Sequence, residues 1–151
     1  MTTDPVFIIA EAGVNHNGDP DIAFKMVDAA SEARADAIKF QTFCTENMVI
    51  RTAPKAAYQL QITDPDESQF EMLQKLELDQ DTHRELKRYS EQKDLRFIST
   101  AFDQNSLAFL SNDLELKILK IPSGEVTNGP LLLEYAQTGR DLILSTGMAT
   151  L

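Results

Sequence analysis

The chain has 151 residues, of which 42% are hydrophobic and 25% charged, and it carries a formal net charge of −10 at pH 7. This composition is typical of one globular unit, and the excess of negative charge argues against a nucleic-acid-binding or anionic-membrane-binding surface. The sequence has a single cysteine, Cys44, and shows neither a signal-peptide pattern nor an apolar run long enough to span a bilayer. These features predict a cytoplasmic protein.

The first elements along the chain are predicted to be a strand, a loop and a helix. Residues 6–10 are rich in β-forming side chains and predict a buried strand, which the turn-like residues 15–18 follow. Asp19 and Pro20 suit the N-cap and the first position of a helix that runs to residue 33. A second strand is predicted at 37–41, and the roughly 20 irregular residues after it form a connection long enough to be functional.

The rest of the chain continues this alternation. Helical patterning resumes near Ser68. The predicted elements after it are a helix at 81–93, a strand at 96–100, a helix begun by Asp103, a strand at 117–121, a helix between Asn128 and Gly139, and a strand at 142–145. Five strands and four helices in alternation predict an α/β fold with a parallel sheet covered by helices, either doubly wound or closed as a barrel.

A polar side chain lies at or next to the C-terminal end of each predicted strand, namely Glu11, Lys39, Thr100, Lys120 and Ser145. Because alternate residues of a strand share a face, these polar groups would line the inside of a barrel. The apolar residues on the other face, which would meet the helices, are Ile8, Ile38, Phe40, Phe97, Leu119 and Ile121. The carboxyl ends of strands build the active site in β/α folds.

The chemistry of these strand ends predicts an anion pocket. Two lysines and several hydroxyls at one edge suit a small phosphorylated or carboxylated substrate, and Glu11 and Glu125 add acid/base capacity beside them. The alternative is a structural ion pair of one lysine with one glutamate. Both lysines together with both glutamates at equivalent positions favour the functional interpretation.

Five ordered segments resemble the sialic acid synthases and their relatives that make legionaminic and pseudaminic acids. They are residues 9–18, 38–42, 97–103, 120–125 and 143–148. The resemblance implies a (β/α)8 TIM barrel, and since a whole barrel needs about 250 residues, residues 1–151 would be its N-terminal half. We expect the rest of the barrel and a C-terminal antifreeze-like domain outside this chain, a homodimeric full-length protein, and an inactive fragment if this half is isolated.

The resemblance also implies roles for individual residues. The positions that match those holding the phosphate and carboxylate of phosphoenolpyruvate are Lys39, Thr100, Lys120, Ser123 and Ser145. Gln41 and Glu125 match positions that face the sugar and a metal-bound water, and Glu125 is the candidate for proton transfer. Glu11 matches an acidic residue near the reacting enol, and Phe102 would wall the pocket. Glu11, Glu125, Lys39 and Lys120 are therefore the expected catalytic residues.

The implied reaction condenses phosphoenolpyruvate with an N-acetylmannosamine-like amino sugar. The enol carbon attacks the open-chain aldehyde, water adds to the neighbouring cationic carbon, and phosphate leaves; carboxylates can move the protons while lysines hold the leaving group. A divalent Mn²⁺ or Mg²⁺ would polarise the aldehyde oxygen, and its two histidine ligands are expected in the second half of the barrel. We expect His83 at the protein surface. His16 could touch the substrate or order its turn, and of the two we favour the rim of the active site.

Three departures from the family pattern are visible. Arg34 and Asp94 stand where relatives often carry glycine at a helix end, and Ala101 replaces a common proline after Thr100. We expect these changes to affect turns and not chemistry. The loop at 53–59 resembles bacterial sialic or legionaminic synthases more than pseudaminic ones.

Two rival hypotheses remain at this stage. Lys39 or Lys120 could form a Schiff base, as in a lysine-dependent aldolase on the same barrel. The second rival hypothesis is that the chain is a non-catalytic, shortened barrel remnant, which binds a partner through its acidic surface.

Overall fold

The computed structural model describes residues 6–55, 67–147 and 149, and a five-stranded parallel sheet lies at its centre. The strands are β1 (Ile9–Gly13), β2 (Ala37–Thr42), β3 (Arg96–Ala101), β4 (Ile118–Ile121) and β5 (Asp141–Leu144). They lie side by side in chain order, and each pairs in parallel with the next. A doubly wound sheet reverses its strand order at a switch point, whereas barrel strands follow one another around the axis. The order confirms the barrel-type alternative.

Helices connect the strands. Among the described residues they are α1 (Pro20–Glu32), α2 (Thr45–Met48), α3 (Gln69–Gln74), α4 (Gln80–Gln92), α5 (Gln104–Ala108) and α6 (Gly129–Gln137). A π-helical turn (Phe109–Asp113) extends α5, and a 3-10 turn (Ser123–Glu125) follows β4. None of the helices in the described part of the chain is long and apolar enough to cross a membrane.

The predicted helix starts are confirmed by their caps. The Asp19 carboxylate accepts the amide N–H of residue 21 at 2.8 Å, Asp103 accepts that of Ser106 at 2.9 Å, and Asn128 accepts that of Leu131 at 3.3 Å. Each bond satisfies an N–H that the first turn of a helix leaves without a partner. The helical patterning expected near Ser68 is confirmed as α3, which Ser68 caps. The short helix α2 was not predicted, because four residues are too few to show a helical period.

The hydrophobic core lies between the sheet and the helices. The apolar strand residues Ile38, Phe40, Phe97, Leu119 and Ile121 are all buried there, as predicted for the outward-facing side. The rings of Phe40 and Phe97 stack with 5.6 Å between centroids. This packing turns the opposite side of each strand, with its polar ends, away from the helices.

The edges of the sheet differ from the prediction. Strand β1 begins at Ile9, so residues 6–8 precede it, and Ile8, which was expected to meet the helices, is 56% exposed. The expectation of a buried strand at 6–10 was therefore wrong for residues 6–8. The strand predicted at 142–145 is present as β5, but it lies at the edge of the sheet and its Leu144 is 54% exposed. Residues 56–59 of the loop at 53–59, and Met148 of the last family-like segment, lie outside the described residues.

Candidate active site

A cavity of about 330 Å³ opens over the carboxyl ends of the five strands. Its lining consists of Glu11, Gly13, Val14, Asn15, Lys39, Gln41, Thr100, Phe102, Lys120, Pro122, Ser123 and Ser145. Every site residue expected from the sequence is in this set except Glu125. Residues that are up to 134 positions apart in the chain therefore meet in one place, because parallel strands present their carboxyl ends at the same edge of the sheet.

An ion pair joins the first two strands inside this cavity. Glu11 and Lys39 are register partners on β1 and β2, and the Lys39 ammonium contacts the Glu11 carboxylate. The Lys39 side chain is 11% exposed, whereas that of Glu11 is 52% exposed. The lysine is thus held at the wall of the cavity, and the carboxylate faces its open space.

Lys120 brings a second ammonium group to the same cavity. Its Nζ donates to the carbonyl oxygen of Ile121 at 2.9 Å. Burial and the neighbouring positive charge of Lys39 lower the pKa of Lys120, and the Glu11 carboxylate opposes this shift. Two cations that repel each other in a half-enclosed space would both gain from an anion bound between them. This geometry suits a bound anion, and the anion pocket stays a prediction.

Hydroxyl groups complete the lining around the two lysines. Thr100 is buried on β3 and pairs in register with Lys120 of β4. Ser145 follows β5, and its amide N–H donates to the carbonyl oxygen of Ile121 at 3.1 Å, which extends the pairing of β4 and β5 by one residue. Hydroxyls fixed on strand backbone are suited to hydrogen-bond phosphate or carboxylate oxygens.

Gly13 permits the close approach of two polar side chains. Its φ is +55°, in the left-handed region, and the β1–β2 register shifts between Glu11 and Gly13. A Cβ at this position would lie 3.2 Å from Oε1 of Glu11 and 3.6 Å from Nε2 of Gln41. Sequence reasoning did not assign Gly13 or its neighbours Val14 and Asn15 to the site, although all three belong to the first family-like segment.

Glu125 lies apart from the cavity lining. It ends the 3-10 turn after β4, and its carboxylate accepts a hydrogen bond from Nδ2 of Asn128 at 2.8 Å. Ser123, two residues earlier in the same turn, does line the cavity. The role of Glu125 in proton transfer stays a prediction.

The two histidines are buried, against expectation. The first turn of α4 lies over the end of β2, where Nε2 of His83 is 3.3 Å from the Gln41 carbonyl oxygen and Nδ1 is 2.9 Å from that of Asp79. His83 is thus not a surface residue, and burial lowers its pKa. His16 accepts the Gly18 N–H at 3.0 Å through Nδ1, so it orders the turn instead of lining the rim. Burial and His83 lower the pKa of His16.

The residues present do not fit a metal centre. In the described ranges 6–55, 67–147 and 149, no three histidine, cysteine, aspartate or glutamate side chains come together as a set that could hold a metal ion. The cavity itself combines two ammonium groups with one carboxylate that is already paired, which is a donor set for an anion and not for a divalent cation.

Comparison with known proteins agrees with the family resemblance of the five segments. The chain matches the NeuB family over residues 26–151. It is 51% identical over 144 residues to an N,N'-diacetyllegionaminic acid synthase of Campylobacter jejuni, and 48% identical over 145 residues to a protein of the same name from Legionella pneumophila. The alignments cover 95% and 96% of this chain but only 43% and 40% of those two relatives. The chain therefore spans less than half the length of the relatives it matches.

A solved structure is similar over nearly the whole chain. The crystal structure of an N-acetylneuraminic acid synthetase from Leptospira borgpetersenii, in complex with citrate, superposes with a TM-score of 0.78 at 34% sequence identity. It covers 97% of this chain and 46% of that one. The resemblance that five short segments predicted thus extends to the fold that connects them.

Proposed function

The chain belongs to the NeuB family, and from that premise we propose that its protein condenses phosphoenolpyruvate with an N-acylated amino sugar. The products are a nonulosonic, or sialic-type, acid and inorganic phosphate. The observation that carries the proposal is the convergence of Lys39, Lys120 and the Glu11 carboxylate on one cavity lined by hydroxyls. A cation pair fits the phosphate dianion, and a carboxylate beside it suits the proton transfers of an enol condensation.

The two lysines have the task of binding and releasing phosphate. Phosphoenolpyruvate would enter as an anion and relieve the repulsion between Lys39 and Lys120, which raises the pKa of Lys120 on binding. Thr100 and Ser145 would hydrogen-bond the phosphate or carboxylate oxygens from the two sides of Lys120. When the bond between the enol carbon and the phosphate oxygen breaks, the same cations stabilise the charge that develops on the leaving phosphate.

The Glu11 carboxylate has the task of compensating positive charge. Attack of the enol carbon on the sugar aldehyde forms the new carbon–carbon bond and leaves cationic character on the adjacent carbon. A carboxylate that is half exposed to the cavity can stabilise this cation and accept a proton from the water that adds to it. The aldehyde oxygen takes up this proton. When the bond between carbon and the phosphate oxygen breaks, the added hydroxyl becomes the carbonyl and its proton leaves with the phosphate, so both protons of the water are accounted for. Glu125, whose carboxylate accepts a hydrogen bond from Asn128 through one oxygen, is the further candidate for proton transfer.

The proposal also covers the identity of the sugar, the divalent metal, the oligomeric state and the location of the protein. Two relatives that are 51% and 48% identical to this chain are N,N'-diacetyllegionaminic acid synthases, which favours a diacetylated amino sugar over N-acetylmannosamine. A divalent Mn²⁺ or Mg²⁺ and a homodimeric assembly remain predictions from the family resemblance, and a cytoplasmic location remains a prediction from the sequence. None of the steps above runs through the metal.

A phosphate-release assay tests the proposal on the protein in its gene-encoded length. Phosphoenolpyruvate, manganese and a panel of mono- and diacetylated amino sugars are supplied, and the product mass is determined. We expect sugar-dependent phosphate release with the wild-type protein and a loss of more than tenfold in the Lys120→Met variant. Lys25→Met, which removes an exposed lysine of α1, is the matched control. Absence of phosphate release with every sugar would refute the synthase function.

The aldolase alternative has one observation in its favour, the lowered pKa of Lys120. A lysine with a lowered pKa is more often neutral and can attack a carbonyl to form a Schiff base. Treatment with borohydride in the presence of pyruvate or the amino sugar distinguishes the two reactions by mass spectrometry. The synthase function predicts an unchanged protein mass, whereas a covalent adduct on Lys120 would establish the aldolase.

A further inference from the structure

We propose that Tyr135 is a positioning residue for the phosphoenolpyruvate site, acting through the backbone of Ala101 and Lys120. This inference rests on the proposed function, since it assigns Tyr135 to the same site. Tyr135 lies on α6, on the far side of the sheet from the cavity, and its side chain is fully buried. Sequence reasoning did not single it out, because an apolar face of a helix is the usual place for a tyrosine ring.

The hydroxyl of Tyr135 makes three short contacts with strand backbone. It accepts the amide N–H of Ala101 at 3.1 Å. It lies 2.8 Å from the carbonyl oxygen of Ala101 and 2.9 Å from that of Lys120, and its single proton is shared between these two acceptors. Burial raises the pKa of Tyr135, so the hydroxyl keeps the proton that it donates. One side-chain oxygen therefore connects β3 to β4.

This bridge lies where the sheet itself provides little pairing. Strands β2 and β3 are in register from Ala37↔Arg96 to Thr42↔Ala101, but between β3 and β4 the register contains the pair Thr100↔Lys120 alone. Beyond that pair, the Tyr135 hydroxyl joins the backbone of Ala101 to that of Lys120. Buried backbone groups need hydrogen-bond partners, and the hydroxyl accepts from the N–H and donates to the carbonyls at the point where the register ends.

The backbone groups that Tyr135 contacts belong to Lys120, which lines the cavity, and to Ala101, which follows the lining residue Thr100. Lys120 carries an ammonium of the anion pocket, and Thr100, its register partner, directly precedes Ala101. Fixing the carbonyl of Lys120 against Ala101 sets the separation of the two strands at the level of these side chains. Small displacements of groups that bind a substrate weaken binding steeply, because hydrogen bonds depend on distance and angle.

Ala101 supplies the N–H that the Tyr135 hydroxyl accepts. In the family that the sequence resembles, proline is common at this position, and a proline has no N–H to donate to Tyr135. The alanine therefore makes one of the three contacts available, so that a change expected to affect only a turn also takes part in the bridge. Residues 101 and 135 should accordingly be energetically coupled.

Two single variants and their combination test the inference in the gene-encoded protein, by calorimetric titration with phosphoenolpyruvate. Tyr135→Phe keeps the buried ring and removes the hydroxyl, whereas Ala101→Pro removes one N–H and leaves both carbonyls. We expect the dissociation constant to rise about tenfold in Tyr135→Phe and less in Ala101→Pro, with no further rise in the double variant. The control is Tyr89→Phe, which removes a half-buried hydroxyl of α4 that donates to the Asp28 carboxylate at 2.8 Å, outside the cavity lining, and should leave the dissociation constant unchanged.

Turnover and amide exchange separate this inference from the proposed function. In Tyr135→Phe we expect KM for phosphoenolpyruvate to rise by the same factor as the dissociation constant, while kcat stays within about twofold of the wild-type value. A purely structural role of Tyr135 would instead lower the fraction of active protein, and therefore kcat, at constant KM. Wild-type protein that binds phosphoenolpyruvate without releasing phosphate would refute the synthase reaction alone. A dissociation constant and an Ala101 amide exchange rate that are both unchanged in Tyr135→Phe would overturn the positioning role alone. Wild-type protein that binds neither phosphoenolpyruvate nor inorganic phosphate would overturn both.

Discussion

Replacement of Lys39 by methionine should separate substrate affinity from stability. The Lys39 side chain is 11% exposed, and methionine keeps its unbranched apolar stem in that space while it removes the ammonium group. A hydrogen bond to a charged group contributes about 1.5–3 kcal/mol, which corresponds to a dissociation constant for phosphoenolpyruvate that is about 10- to 150-fold higher. The Glu11 carboxylate, left beside the pocket without its cation, adds to this loss.

The effect on folding should be much smaller. The partner of Lys39 is 52% exposed, and ion pairs with one solvated member contribute about 0–1 kcal/mol. The substitution also removes a positive neighbour of Lys120. Since Lys39 is one of the causes that lower the pKa of Lys120, that pKa should rise in the variant.

Three measurements check this reasoning. Calorimetric titration gives the dissociation constant, urea unfolding gives the free energy of unfolding, and NMR of ¹³C-labelled lysine gives the pKa of Lys120. Lys25→Met removes an exposed lysine of α1 and should change none of the three. A dissociation constant within about threefold of the wild-type value, or a Lys120 pKa that falls instead of rising, would show that the two lysines do not share an anion.

Further predictions concern backbone conformation and pH. Gly18→Ala should prevent stable folding, because φ is +76° and the new Cβ would lie 2.1 Å from the backbone oxygen of Lys75. Thermal melting followed by circular dichroism measures this, and a melting temperature equal to that of the wild type would contradict it. Arg34→Gly should stabilise the protein by about 0.5–1 kcal/mol and Asp94→Gly by less: φ is +58° and +59° at these helix ends, and aspartate tolerates left-handed backbone better than arginine. Urea unfolding of both variants is the test, and equal gains would count against the explanation. Burial lowers the pKa of His83 from its ordinary 6.5, so the unfolded chain binds the proton more tightly than the folded one. Stability should therefore be complete above pH 6.5 and fall below it, by up to about 1.4 kcal/mol per pH unit for one proton. His83→Gln should flatten this slope between pH 6.5 and 5, and an unchanged slope would assign the effect to other groups.

The site residues illustrate how far local patterns reach. Glu11, Lys39 and Thr100 could be assigned to the cavity because a strand alternates its faces and its carboxyl end is recognisable from the residues that follow. Glu125 was assigned from the family resemblance, since it lies beyond the predicted strand at 117–121; its carboxylate accepts a hydrogen bond from Asn128 in the turn after β4, and its role stays a prediction. His83 looked exposed in a polar segment, but the place of α4 against the end of β2 buried it.

The sequence by itself determined the units of this protein: five strands, the caps of the main helices at Asp19, Asp103 and Asn128, and a family resemblance borne by the strand ends. These features depend on side-chain period and capping chemistry within a few residues, so they can be recognised locally. Only the tertiary structure decided that His83 is buried against the end of β2 and that Tyr135 bridges β3 to β4. The physical reason is distance along the chain: Tyr135 and Ala101 are 34 residues apart, and no local pattern shows that a hydroxyl of one helix reaches the backbone of two strands.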